Sequence, residues 1–135
     1  MTGNYAYWIS TALLSLLYLT SATMYLVRTA WVRQALADLG YPAYLVPIFI
    51  AVKILGVVAI LARVSVALSD LAYAGMLYHL LLAAAAHLGV RKPSAAAPAM
   101  VGLVLLVASF VTQNVARDTP SPYAPAAAEH RATLN

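Results

Sequence analysis

Four stretches of this sequence, residues 5–27, 43–62, 70–88 and 97–116, are each close to twenty residues long and almost free of charge. A bilayer's hydrocarbon core is about 30 Å thick and needs roughly 20 apolar residues of helix to cross it. Each stretch is long enough. No series of short alternating strands offers a barrel instead, and lipid accepts only those two spanning structures. Composition agrees, with 64% hydrophobic and 9% charged residues against about 25% charged in an ordinary soluble domain. The expected fold class is therefore all-α, an integral membrane four-helix antiparallel bundle over residues 1–117.

The linkers carry the charges and the helix breakers. In the first, Trp31, Val32, Ala35, Leu36 and Leu39 share one helical face, while Arg33, Gln34 and Asp38 take the other. That pattern predicts a short interfacial amphipathic helix between the first two spans. Gly40 is placed to cap it in a left-handed conformation, and Pro42 blocks its continuation. The Pro- and Ala-rich stretch 118–135 predicts a disordered tail. Arg28, Arg33, Arg91 and Lys92 in the first and third linkers outnumber Arg63 and Arg117 on the opposite face. The positive-inside rule then puts both termini outside. The N-terminal residues lack a basic region and a small-residue cleavage site, so the first span is expected to stay in the mature protein.

Several function classes drop out. The basic residues that make the net charge +4 are scattered rather than gathered into a patch, which argues against nucleic acid as a partner. There is no cysteine, so thiol chemistry and Cys-ligated metals are excluded. His79 and His87 are eight residues apart, about 12 Å along a helix axis, too far to share one metal ion. No nucleotide-binding, zinc-protease or nucleophile-elbow motif is present.

One residue resists the apolar reading. Lys53 stands in the middle of "FIAVKILGVVAI", residues 49–60. It is about 15 Å from either end of its span, beyond the reach of a snorkelling lysine. A charge at that depth costs at least about 2.5–3.5 kcal/mol on insertion scales, so it should face the bundle interior. The four acids, Asp38, Asp70, Asp118 and Glu129, all lie at span ends or outside. His79, nine residues after the start of the third span, falls at the depth of Lys53 on an antiparallel neighbour. Tyr18 belongs to a stripe of Thr11, Ser15, Tyr18, Ala22 and Tyr25 on one face of the first span, expected to point inward. Tyr18, Lys53 and His79 are thus the expected midplane constellation and the candidate catalytic set. A lysine held neutral there could accept a proton, donate to a carbonyl or act as a Schiff-base nucleophile. Tyr25, Tyr73 and His87, nearer the interface, suit a ligand's polar head better. Ser69 and Asp70 sit where a helix N-cap belongs, with Arg63 close enough for an ion pair. Ser109 and Gln113, four apart on the last span, are candidates for hydrogen bonds between helices.

The segments "ADLGYPAYL" (37–45), "AVKILG" (51–56), "SDLAYAG" (69–75) and "AAAAHLG" (83–89), in this order and spacing, resemble the DoxX-like family of small bacterial membrane proteins. The resemblance runs from about residue 5 to 117. It implies a four-helix membrane bundle in the bacterial inner membrane. It also implies a role for the mid-span Lys53, the acid Asp70 and the late His87. The family more often carries glutamate at the acidic position and an aromatic after it, where this chain has Asp70 and Leu71; His79 is not part of its usual pattern. The family name derives from components of quinol oxidase and thiosulfate:quinone oxidoreductase systems, which implies association with other membrane redox proteins.

Three kinds of function remain open. The first is an accessory redox component that binds a quinone or other lipophilic small molecule through Lys53, Tyr25, Tyr73, Asp70 and His87. The second is a small enzyme doing acid–base chemistry on a lipophilic substrate. The third is a structural subunit of a membrane complex.

Overall fold

The computed structural model describes residues 2–126, and every regular element among them is helical. Four helices are long and apolar enough to cross a membrane. They are α1 (Thr2–Val27), α3 (Leu45–Ala62), α4 (Val66–Gly89) and α5 (Ala97–Thr112), the last flanked by 3-10 turns at Pro93–Ala96 and Gln113–Ala116. The short α2 (Thr29–Asp38) follows α1 after a break at Arg28. α1 packs against α3, α3 against α4, α4 against α5, and α5 closes the ring on α1.

Helix ends follow local chemistry. α2 stops in a Schellman arrangement: Gly40 takes a φ of 86°, its N–H reaches the Ala37 carbonyl at 2.9 Å, and the Tyr41 N–H reaches that of Leu36 at 2.9 Å. A positive φ is cheap only for glycine. Pro47 and Pro98 sit in the first turns of α3 and α5, where no helical partner for an N–H is lost. α4 begins one turn earlier than the expected start at residue 70. Its cap is Ser65, whose Oγ accepts from the Leu68 N–H at 3.1 Å. Ser69 and Asp70 are therefore inside the helix rather than at its cap. The apolar residues Val66, Ala67 and Leu68 let the helix run back to the first competent capping side chain.

The core draws Leu14 and Tyr18 from α1, Val57 and Ile60 from α3, Tyr73, Met76 and Leu80 from α4, and Ala99 and Leu106 from α5. A smaller cluster seats α2, whose Val32 and Leu36 bury against Val46 while Trp31 stays 60% exposed. The outer surface is also apolar, with Ile9, Leu16, Leu55, Leu82 and Val104 exposed. In lipid that surface gains nothing by being covered. Helix association there rests on close packing of small residues and on interhelical hydrogen bonds. Both are present. Gly102 lets α5 approach so closely that a Cβ there would stand 2.8 Å from Leu80 Cδ2 and 3.2 Å from Leu17 Cδ2. The fully buried Ser109 hydroxyl bonds Thr11 Oγ1 and Tyr73 Oη, each at 2.6 Å, joining α5 to α1 and α4.

The start of the stretch expected to lack order is anchored instead. Asn114 Nδ2 reaches the carbonyls of Ser121, Ala124 and Pro125 at 2.9–3.2 Å, and its Oδ1 accepts from the Ser121 N–H at 2.7 Å. Ser121 Oγ donates to Asp70 Oδ2 at 2.7 Å. Buried polar groups of this kind must find partners, and here each helix side chain finds one in the tail. Residues 127–135 of that stretch lie outside the described residues.

Candidate functional site

On α1, Thr11, Ser15, Tyr18 and Ala22 are all buried, as their four-and-three spacing requires of one inward face. Lys53 lies at the middle of α3, on the same face as the buried Val57 and Ile60, and is only 5% exposed. On α4, His79 follows Tyr73 and Met76 around the inward side. These three faces bring Tyr18, Lys53 and His79 together.

Tyr18 Oη and His79 Nδ1 are 2.9 Å apart, a hydrogen bond running diagonally across the bundle from α1 to α4. Phe49 of α3 packs its ring edge-on against the imidazole, with centroids 6.1 Å apart. The Lys53 ammonium stands 4.8 Å from the centre of the Tyr25 ring and 5.4 Å from that of Tyr18. Ring faces attract a cation, more strongly where water is excluded. Among the described residues Lys53 makes no hydrogen bond and no ion pair. Its three N–H donors are left to whatever else enters the site.

Space is available on two sides of this cluster. A chamber of about 430 Å³ lies between α1, α4 and α5, and is lined by Tyr18, Tyr25, Trp31, Lys53, His79 and His87, among others. A groove of about 460 Å³ runs between α3 and α4, with Tyr18, Lys53 and His79 at its inner wall. Both volumes fall within the range of small-molecule sites.

The other sequence-chosen residues divide. Tyr25 joins the cluster directly, and His87 lines the chamber, its buried Nδ1 without a partner among the described residues. Tyr73 and Asp70 are elsewhere. Tyr73 Oη is bonded to Ser109, and Tyr73 and Asp70 line a separate cleft of about 710 Å³ between α4 and α5. Asp70 accepts from Ser121 and, at 3.4 Å, from Gln113 Nε2. Arg63 does not pair with Asp70; it donates to the Ala116 carbonyl and lies over the Tyr7 and Trp8 rings, 5.8 and 5.5 Å from their centres. Its left-handed backbone at the end of α3 directs the side chain that way. Phe49 and Met76 were not legible as site residues, since an aromatic or methionine in an apolar run is ordinary core. No group of three His, Cys, Asp or Glu side chains placed to hold a metal occurs among the described residues.

These features define a class: a small all-helical membrane bundle with a basic, partly hollow centre. The sequence pattern of the DoxX-like family matches residues 9–109, and the chain belongs to that family. The matched region contains Tyr18, Lys53, Asp70, His79 and His87, whereas Asn114 and the anchored tail fall outside it. Comparison with curated proteins and with solved structures gives no match.

Proposed function

We propose that this protein binds a lipophilic molecule bearing an acceptor oxygen, of which a quinone is the leading example, as an accessory component of a bacterial inner-membrane redox system. The observation that carries this reading is Lys53, buried at mid-span, facing two tyrosine rings and bordering open space without an acid or a hydrogen-bond acceptor among the described residues. An ammonium at that depth is costly unless something polar meets it. A carbonyl oxygen supplies that partner, and a ligand reaching Lys53 also comes within the surroundings of the Tyr18 hydroxyl and the His79 ring. A quinone fits this donor set in kind: its carbonyls accept, and its ring suits the tyrosine-lined wall. When bound, such a group would supply two-electron redox chemistry. The lysine's part would be to hold the oxygen and to favour the form carrying more negative charge.

The test is mass spectrometry of small molecules retained by the protein in lipid nanodiscs, wild type beside Lys53→Met. Enrichment of a quinone or another carbonyl-bearing lipophile on the wild type, lost in the variant, is the expected result. Equal retention by both proteins, or retention by neither, would falsify the reading.

The 2.9 Å Tyr18–His79 hydrogen bond favours a second reading, acid–base chemistry on a lipophilic substrate. A phenol paired with an imidazole can relay a proton to a group held by Lys53. Under that reading Tyr18→Phe abolishes turnover of the retained compound while leaving its binding in place. Under the first it alters binding alone.

A further inference from the structure

The two cavities share a wall but differ in chemistry. Eight of the fifteen chamber-lining residues have polar or indole side chains, Thr20, Ser21, Tyr25 and His87 among them. In the groove only the shared Tyr18, Lys53 and His79 are polar. The remainder of its lining is aliphatic, aromatic or small, and Val52, Leu55 and Leu71 are exposed on the outer face of the bundle. The chamber therefore suits a head group, and the groove opens toward lipid.

Two glycines keep the groove open. A Cβ at Gly75 would meet nothing within 4 Å, and one at Gly56 would meet only Met76 Cε, at 3.1 Å. The glycine on the packed side, Gly102, has the opposite surroundings. From Phe49 to Ala59 the groove follows eleven residues of α3, a rise of about 15 Å, or half the hydrocarbon thickness. A chain lying there gains little hydrophobic free energy, because lipid tails are as apolar as the groove. What the groove provides is a way for a tail to leave the site sideways while the head stays at Lys53.

From this geometry we propose that the ligand is a tailed amphiphile, its polar head held in the chamber and at Lys53 and its single apolar chain running out through the α3–α4 groove into the bilayer. This rests on the binding reading above and adds the ligand's shape to it. The occupant is one chain, since the groove lies between a single pair of helices and meets the chamber only at Tyr18, Lys53 and His79.

The test uses two probes with one head group, a decyl-substituted dimethoxy-methyl-benzoquinone and its tailless parent. Affinities are read in nanodiscs from quenching of Trp31, which lines the chamber, in a Trp8→Phe background. Gly75→Leu places a side chain in the groove without a clash in the core. It is expected to weaken the decyl probe at least tenfold and to leave the tailless probe within twofold, which also shows that the variant is folded. Lys53→Met is expected to weaken both probes tenfold or more. If Gly75→Leu affects neither probe, or both equally, the groove does not hold the tail and the proposal is overturned. If the wild type binds neither probe, or Lys53→Met leaves both affinities unchanged, the head-group reading itself fails.

Discussion

Two of the polar clusters among the described residues are built in opposite ways. At one, the Ser109 hydroxyl lies 2.6 Å from that of Thr11 and 2.6 Å from that of Tyr73, joining three helices, with Thr11 and Ser109 fully buried. Every hydroxyl in it has a partner. At the other, Tyr18 and His79 are bonded to each other, but Lys53 beside them is not bonded and cavities open on both sides. The first is small, neutral and satisfied, which is how a membrane protein uses polar groups to hold helices together. The second is basic, hollow and unsatisfied, an arrangement that costs stability unless something is added. A buried polar residue in a membrane is thus not by itself a functional site; the discriminating feature is whether its hydrogen-bonding capacity is already used.

Substitutions sharpen this contrast. Gly102→Leu should cost the most, about 3 kcal/mol, because the added side chain would have to displace Leu80 and Leu17 where α5 is packed. Ser109→Ala should cost about 1–2 kcal/mol by removing two interhelical hydrogen bonds at once. Tyr18→Phe, which removes one, should cost about 0.6 kcal/mol. Gly75→Leu should leave the ligand-free protein within about 0.5 kcal/mol of wild type, since it fills no occupied space. Lys53→Met should stabilise it, since it removes no hydrogen bond and relieves the cost of an unmatched buried amine. Equilibrium unfolding in detergent micelles reads all five. The comparison breaks if Gly75→Leu is as damaging as Gly102→Leu, or if Lys53→Met destabilises as much as Ser109→Ala. Added ligand should sharpen it, raising the stability of the wild type and of Ser109→Ala but not that of Lys53→Met.

Much of this was readable before any coordinates. Lys53 stood out because one charge in an apolar run has few physical explanations, and counting residues from the span ends put His79 at its depth. The inward stripe on α1 followed from its spacing, and Gly40 from the need for a left-handed residue where α2 stops. Other features were not legible. Ser65 rather than Ser69 caps α4, a choice set by where α3 ends and the chain turns. Tyr73 is four residues from Ser69 and six from His79, yet its hydroxyl is turned toward Ser109 on α5, a partner that spacing along α4 cannot reveal. Nothing in the sequence around Asn114 singles it out; its role comes from Ser121, Ala124 and Pro125, which fold back onto its side chain.

Sequence alone determined that the chain is a bundle of four membrane-crossing helices with a connecting helix after the first. Hydropathy, length and helix-stop signals act locally, and a bilayer leaves the backbone no other way to satisfy its hydrogen bonds. It also determined that Lys53 needs a polar environment, because the cost of a buried charge depends on depth. Only the tertiary structure decided which polar groups are spent on one another and which are left facing space. That depends on how close each pair of helices comes: Gly102 draws α5 in until no room remains, while Gly56 and Gly75 on the facing helices leave a groove beside Lys53. The same residue type produces contact in one place and a cavity in the other, because the side chains opposite it belong to other helices.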